Sequence, residues 1–380
     1  MIGKWNCPIW IIGYFIAVAF YDNALAVELA VSGHAGVTSN PHQLSDSFQP
    51  DSEVFTLFDL KFSNRFDNGS YFKAQTKQSL FLNDETADRS RTKLDLGYRS
   101  KFHISEQKFR YKLWADSTIR NSTYVSKTTG QVATFNGQSI ADRYDSVQNN
   151  LNAYVSLRSA NKTRYKISYQ HRDKDYQDYS IPGLSNFDYA HHRLRLNVDF
   201  RVSDESHVVA KIGTTRRDFK DRRAQDLNGD DIPGTNLEYD YLEYSLGYSY
   251  RPDKTVRLGA LVEFIEREDN GVGYADSTYD RVTLSARFVL SETDSLDASL
   301  RYSDLAYVNQ VVIDPSSLEE FGYDNKGYSI LVDYRRALSS REENKFTLLL
   351  NFEAFDFDSS DPRYQYSEYV FSAGVRYDVF

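Results

Sequence analysis

The sequence predicts an all-β fold, a transmembrane antiparallel up-and-down β-barrel of about 16 strands. Three observations predict it. Polar and apolar residues alternate with a period of two, the alternating segments are about 10 to 15 residues long, and the connections between them are alternately short and long. Strands of this kind cross a bilayer at a tilt, with one face towards lipid and the other towards a wet lumen.

The alternation is clear in the segment 91–101 and recurs in 107–120 and 191–202. In the first of these, charged residues occupy one face and mainly apolar residues the other: Arg91, Lys93, Asp95, Arg99 and Lys101 against Thr92, Leu94, Leu96 and Tyr98. Reading the whole chain in this way predicts strands near 27–38, 53–65, 70–83, 91–103, 107–120, 146–160, 162–175, 188–202, 205–218, 237–251, 254–268, 278–291, 294–307, 324–337, 344–357 and 367–380.

The connections fall into two classes. Short ones carry turn residues, as at 67–70, 203–205 and 252–254, whereas long ones cover 121–145, 176–187, 219–236, 269–277 and 308–323. An even number of strands with both termini on the periplasmic side places all short turns at one end and all long loops at the other. A soluble β-sandwich or propeller also alternates, but the length of the strands and the regular change of loop length favour the barrel.

Composition agrees with a barrel. Only 41% of residues are hydrophobic and 26% are charged, with a net charge of −9 and a mean hydropathy of −0.58. Because only alternate residues of each strand face lipid, a transmembrane barrel keeps a polar average. The 29 Tyr and 24 Phe fit a protein with wide interfaces between apolar and wet surroundings.

The first 26 residues are typical of a secretory leader. Lys4 supplies a positive start, residues 8–20 form a short apolar run, and Ala24 to Ala26 offer a small-residue cleavage site. We therefore expect a signal peptide at 1–26 and a single barrel domain at 27–380. Cys7, the one cysteine, lies in this leader, so the mature chain holds no thiol.

Cations gather on the inward phase of the strands between residues 70 and 218. The candidate pore-lining residues are Lys73, Lys77, Lys93, Arg99, Lys108, Arg110, Lys112, Arg164, Lys166, Arg172, Arg193, Arg195 and Lys211. A wall of this kind attracts anions and sets pore selectivity electrostatically. The alternative is structural pairing, in which inward charges only neutralise one another across strands.

A second candidate is a calcium site in a predicted extracellular loop. Asp226, Asn228 and Asp230 place oxygen ligands at alternate positions, as at the start of a calcium-binding loop. Asp231 stands where such a loop has glycine, so a solvated acidic turn is the alternative. Divalent bridging from acidic loops to lipopolysaccharide is a further hypothesis, and otherwise we expect no cofactor.

The C-terminal strand 369–380 ends in Phe380, which resembles the signal that the outer-membrane assembly machinery reads in bacterial porins. Phe380 is one residue out of phase with the apolar face, a slip that a bulge or a splayed terminus would absorb. The segment 33–41 is similar to the first strand of β-barrel porins that accompany exopolysaccharide secretion. The resemblance implies a location in the bacterial outer membrane, lipid, lipopolysaccharide and the assembly machinery as partners, and a connection with polysaccharide export.

Three functions follow as hypotheses. The first is a channel with a partly basic lumen that passes anionic solutes, including an exported acidic exopolysaccharide. The second is an outer-membrane enzyme with catalytic residues at the barrel rim, and the third is a surface or assembly protein that acts through its extracellular loops. The sequence has no nucleophile elbow, phosphate loop or zinc motif, so we expect a non-enzyme, and we expect no nucleic-acid partner.

Overall fold

The computed structural model describes residues 26–48, 51–104, 107–127, 129–159, 163–313, 320–339 and 344–379. Residues 1–25 of the predicted leader and Phe380 lie outside the described residues. Sixteen antiparallel strands form a closed barrel, in which β1 pairs with β2 on one side and with β18 on the other.

The strands, numbered in chain order, are β1 (Ala26–Thr38), β2 (Glu53–Arg65), β3 (Ser70–Phe81), β4 (Arg89–Ile104), β5 (Gln107–Ser122), β6 (Thr134–Phe135), β7 (Gln138–Ser139), β8 (Ser146–Arg158), β9 (Arg164–Tyr176), β10 (Tyr189–Arg201), β11 (Ser206–Phe219), β12 (Glu238–Tyr250), β13 (Val256–Asp269), β14 (Ser277–Val289), β15 (Asp294–Ile313), β16 (Glu320–Ala337), β17 (Asn344–Ser359) and β18 (Tyr366–Val379). Strands β6 and β7 form a small hairpin within the loop between β5 and β8. Three short 3-10 helices lie at Asp46–Phe48, Glu85–Ala87 and Pro362–Tyr364.

The predicted fold class is confirmed, and a barrel strand occupies each of the sixteen predicted segments. One predicted loop, 308–323, is wrong in part: β15 continues to Ile313 and β16 begins at Glu320, so the two strands extend as a long hairpin. Their pairing shifts register between Ala306 and Val311. Residues 308–313 (VNQVVI) contain four β-branched apolar residues, which favour a strand, so the loop predicted from residue 308 begins too early.

The two faces of each strand differ as the alternation predicts. In β10, Leu194 and Leu196 are 51% and 40% exposed on the outer surface, while Arg195 between them points into the barrel. Exposed apolar side chains also lie on the outer face of other strands around the barrel, among them Leu96, Leu113, Leu151, Ile167, Ile212, Leu246, Leu284, Leu300, Ile330, Phe352 and Phe371. A continuous apolar surface of this extent is stable in contact with lipid.

The two ends of the barrel are unlike. Short turns join strands at the end where β1 begins and β18 finishes, and the long loops lie at the opposite end. We call these the turn side and the loop side. The pairing of β18 with β1 is continuous from Val370 to Val379, so no bulge occurs in the described part of this strand, and the phase of Phe380 lies outside the described residues. No helix among the described residues is long and apolar enough to cross a membrane.

We expect Leu246→Arg to destabilise the barrel by about 2–4 kcal/mol, because it places a charge on the lipid face near the middle of β12. Ser245→Arg is the matched control: Ser245 lies on the inner face, opposite Lys211 and Glu263. The measurement is urea unfolding from lipid vesicles. Equal destabilisation by both substitutions would contradict the assignment of faces.

Candidate functional site

The lumen wall of strands β3 to β11 is the candidate functional site. The strand register places all of the predicted pore-lining cations on the face opposite the exposed apolar residues. Lys101 pairs with Arg110, and Asn197 pairs with both Lys166 and Lys211, so cations on separate strands lie side by side. Their contacts divide them into two groups, those with a carboxylate partner and those without one.

Ion pairs link the cations in the middle of the wall to carboxylates. Glu243 on β12 accepts hydrogen bonds from both Arg193 and Arg195, the latter at 2.5 Å, and a third from the Thr215 hydroxyl at 3.1 Å. Lys93 lies 3.3 Å from an Asp116 oxygen. Structural pairing therefore holds these cations in place, although Glu243 offsets only one of the two positive charges of Arg193 and Arg195.

The opposite wall is paired in the same manner. Glu263 on β13 binds Arg281 on β14. Asp297 on β15 lies between Arg287, at 3.6 Å, and Arg335, at 3.7 Å. This side of the lumen is mixed in charge, and its ion pairs link neighbouring strands.

A cavity at the turn side contains cations of the second group. This turn-side cavity, of about 420 Å³, is lined by Arg65, Phe66, Gly69, Ser70, Tyr71, Lys73, Arg99, Lys112, Trp114, Tyr154 and Lys166. The Lys112 ammonium lies 4.2 Å from the centre of the Trp114 ring system and 4.8 Å from that of Tyr71. Lys166 lies 4.4 Å from the centre of the Tyr154 ring. Aromatic faces stabilise these ammonium groups, and Asp95, opposite Lys73 on β4, is the acidic residue beside this row.

A second cavity of the same character lies at the loop side. This loop-side cavity, of about 390 Å³, is lined by Tyr144, Tyr176, Phe187, Tyr189, Arg217, Phe219, Arg222, Gln225, Tyr239, Arg267, Ala275, Tyr307 and Gln310. In the described part of the chain, no acidic residue lines either cavity. Among the described residues, no carboxylate lies within ion-pair distance of Arg217, Arg222 or Arg267.

The aromatic residues of the loop-side cavity form a packed layer. Phe219 makes edge-on contacts with Tyr189 and Tyr239, with ring centres 5.8 Å and 5.3 Å apart. All three side chains are buried and belong to one apolar cluster with Leu237. Edge-to-face packing and burial fix these rings, so the arginines rest against a rigid surface.

Next to this cavity, Arg172, His191 and Arg217 lie side by side on β9, β10 and β11. His191 is only 6% exposed, and within the described part of the chain neither of its ring nitrogens nor the Arg217 Nε has a hydrogen-bond partner. The Arg172 Nε donates to the Asn150 side-chain oxygen at 2.9 Å. Positive charge is thus concentrated on the loop side without an acidic neighbour in this row.

The loop between β5 and β8 covers part of the mouth. Its Lys127 carbonyl accepts a hydrogen bond from the Ser45 backbone at 3.1 Å, although Ser45 follows β1. Further along the same loop, Ala133 and Ile140 pack with Ile181 of the loop between β9 and β10. The long loops therefore hold one another, and together they complete the loop-side cavity.

Asp145 anchors this loop where it joins β8. Its carboxylate accepts a hydrogen bond from the Ser122 backbone N–H at 2.7 Å, and its carbonyl accepts one from Gln177 at 3.0 Å. Burial raises the pKa of Asp145 to about 6, more than the Ser122 bond lowers it. The native loop therefore holds a proton on Asp145 at a pH where the unfolded chain has lost it.

We expect the free energy of opening of this loop to fall as the pH rises from about 4 to about 6, because ionisation then leaves a half-buried charge. Hydrogen exchange of residues 123–145, corrected for intrinsic rates, measures it. Asp145→Asn keeps an acceptor for Ser122 and removes the ionisation, so its opening free energy is expected not to vary over this range. A wild-type loop that becomes more stable with rising pH would contradict the assignment.

The proposed calcium residues form a turn. The Asp226 carboxylate accepts hydrogen bonds from the backbone N–H groups of Asn228, at 2.8 Å, and Asp230, at 3.0 Å. One of its oxygens is therefore occupied by the loop's own backbone, as in an Asx-turn. The described residues contain no group of three or more His, Cys, Asp or Glu arranged to hold a metal, and calcium binding by Asp226, Asn228 and Asp230 stays a prediction of the sequence.

One set of side chains at the loop-side rim has the composition of a catalytic triad but not its geometry. The His42 Nε2 lies 2.6 Å from an Asp84 oxygen and 3.2 Å from the Thr86 hydroxyl. A relay requires the carboxylate on one ring nitrogen and the nucleophile on the other. Because both partners meet the same nitrogen, this set does not activate Thr86 as a nucleophile.

The apolar outer surface, the closed hydrogen-bonded wall and the polar interior decide the setting of this chain. It is an outer-membrane β-barrel. No family model matches the chain. No curated protein matches it either.

Solved structures with a similar shape include an anion-selective porin from Comamonas acidovorans, with 13% identity, a TM-score of 0.43, and 93% of this chain and 98% of that chain covered. OccAB1 from Acinetobacter baumannii is similar with 7% identity, a TM-score of 0.47, and 94% and 98% covered. A bacterial polysaccharide outer membrane secretin has 11% identity, a TM-score of 0.43, and 94% and 100% covered. At these identities and scores, the likenesses carry no argument about what this chain transports.

Sequence reasoning missed the aromatic part of the site. Tyr189, Tyr239 and Tyr241 fall on the inward phase of their strands, and the same alternation that placed the cations also places them. Arg222 lies in the loop between β11 and β12, where no periodicity indicates which way a side chain points. Its position over the Phe187 and Phe219 rings, at 5.5 Å and 5.2 Å, comes from the folded loop.

Proposed function

We propose that this protein is an outer-membrane channel that favours anionic solutes, with an acidic polysaccharide as the exported substrate. The observation that carries the proposal is the pair of cavities at opposite ends of the lumen, each lined by cations and aromatic rings and neither by an acidic residue. Cations of this kind, without carboxylate partners, attract anions along the lumen axis. A barrel of sixteen strands is wide enough for an aqueous passage.

The aromatic rings favour a sugar polymer over a simple ion. Inorganic anions gain nothing from Tyr and Trp faces, whereas a pyranose presents axial C–H groups that pack on the electron-rich face of a ring. Acidic sugars also carry the carboxylates that Arg and Lys bind. Both kinds of group stand together in each cavity, as with Lys112 beside Trp114 and Arg217 beside Tyr189.

The test of anion preference uses neighbouring residues on opposite faces of β11. Arg217 points into the lumen and has no carboxylate partner among the described residues, whereas Arg216 lies on the outer face with Asp218 at 2.9 Å. We expect Arg217→Gln to lower the anion-to-cation permeability ratio and Arg216→Gln to leave it unchanged, although both remove one charge. Reversal potentials of single channels in planar bilayers, under a salt gradient, measure the ratio.

A wild-type channel that conducts no ions or prefers cations would overturn the proposal. Equal effects of the two substitutions would show that the selectivity is set by net charge rather than by the lumen wall.

Arg193 and Arg195 share Glu243, so Glu243→Gln is expected to raise anion preference by releasing both of them.

Trp114 gives an independent measure of anions at the turn side. The other tryptophans, Trp5 and Trp10, lie in the predicted leader, so excitation above the tyrosine absorption band reports on Trp114 in a chain without the leader. We expect iodide to quench it more strongly than caesium, because Lys112 and Lys166 concentrate anions in the turn-side cavity.

In this experiment, Lys166→Gln is expected to lower iodide quenching, and Lys254→Gln, an exposed turn residue at the same end of the barrel, is the control. Quenching by neutral acrylamide reports any change in access to Trp114. Equal quenching by iodide and caesium in the wild type would exclude an anion-concentrating cavity at this end.

A further inference from the structure

The loop-side cavity differs from the rest of the lumen in how its arginines are held. The Arg267 Nε donates to the Ala275 carbonyl at 2.8 Å, and its guanidinium centre lies 4.7 Å from that of the Tyr239 ring. Arg217 lies 4.7 Å from Tyr189 and 5.3 Å from Tyr241. Each guanidinium is thus oriented by a ring or a carbonyl, and none is bound to a carboxylate of the described residues.

Guanidinium groups in this state are prepared for an anion. The planar fork of Arg binds a carboxylate through two parallel N–H donors. Holding the fork in advance reduces the conformational entropy that binding must remove. Arg217, Arg222 and Arg267 reach the cavity from β11, from the following loop and from β13 respectively, so a single bound carboxylate has donors on more than one side.

The volume of the cavity and the other residues that line it indicate the size and chemistry of the rest of the ligand. The volume of about 390 Å³ is within the range of pockets for small organic ligands and exceeds what an inorganic anion fills. Tyr144, which is 42% exposed, presents aromatic surface beside the arginines, and Gln225 and Gln310 add amide groups that bind hydroxyls. A carboxylate, a flat apolar face and several hydroxyls coincide in a hexuronic acid.

We propose that the loop-side cavity is a binding site for a hexuronate residue, with Arg217 and Arg222 holding its carboxylate and Tyr144 packing on its ring. The inference rests on the proposed channel function and names the chemistry of its substrate. At the mouth of the lumen, such a site captures or releases one unit of an acidic polysaccharide while the remainder of the chain lies along the basic wall.

The test is calorimetric titration of the purified full barrel in detergent with trigalacturonate, with maltotriose as the neutral sugar and acetate as the simple carboxylate. Trigalacturonate is expected to bind with at least about tenfold higher affinity than either of the other two, because only it satisfies the arginines and the rings together. Acetate binding as tight as that of trigalacturonate would overturn the sugar assignment. Maltotriose binding as tight would overturn the role of the arginines.

Adjacent arginines supply the matched control. Arg222 lines the cavity, whereas Arg223 is exposed and does not. We expect Arg222→Gln to weaken trigalacturonate binding about tenfold, the loss of one charge-assisted hydrogen-bonding partner, and Arg223→Gln to leave it unchanged. Since both lie in a loop, neither is expected to prevent the barrel from folding, and equal effects would overturn the site.

Failure of this inference and failure of the channel proposal give different results. If reversal potentials show anion preference and Arg222→Gln binds trigalacturonate as the wild type does, the channel stands and the site is wrong. If trigalacturonate binds and Arg222→Gln weakens it but no current flows, the site stands without the channel. The fluorescence of Trp114 distinguishes binding at the two ends. A sugar bound only in the turn-side cavity changes the Trp114 fluorescence, and its affinity is the same in Arg222→Gln as in the wild type.

Discussion

The closure of the barrel between β1 and β18 is the constraint on which the remaining structure depends. A lipid environment offers no hydrogen bonds, so each backbone group of a spanning strand must pair with a neighbouring strand. The ladder from Leu29 with Val379 to Thr38 with Val370 removes the last free edge. Once the wall is closed, each side chain of a spanning strand faces either lipid or the lumen, because successive residues of a strand point to opposite faces.

Charge inside the lumen is arranged by what each cation can reach. Glu243 meets Arg193 and Arg195 in the middle of the wall and offsets one of their two charges. Towards the two ends, Lys112 and Arg217 rest on aromatic faces, which stabilise a cation without neutralising it. Cations in the middle of the wall thus share carboxylates, whereas these two rest on rings.

The loops convert the loop-side mouth from an open rim into a cavity. The hairpin of β6 and β7 and the packing of Ile140 on Ile181 give the loops an apolar cluster of their own. Phe187, in the loop between β9 and β10, contacts both Tyr144 and Arg222, and the loops thereby place these two residues beside the strand residues of the cavity.

The sequence by itself determined the barrel, its sixteen strands and the face of each cation, because alternation and turn residues are local properties that a single strand displays. It did not determine that Glu243 binds two arginines, since their pairing depends on register across three strands. Nor did it place Arg222 beside the cavity. It also did not reveal that the Asp226 carboxylate accepts hydrogen bonds from the backbone of its own loop. Only the tertiary structure decided which cations remain without a carboxylate, because that depends on distances between residues far apart in the chain.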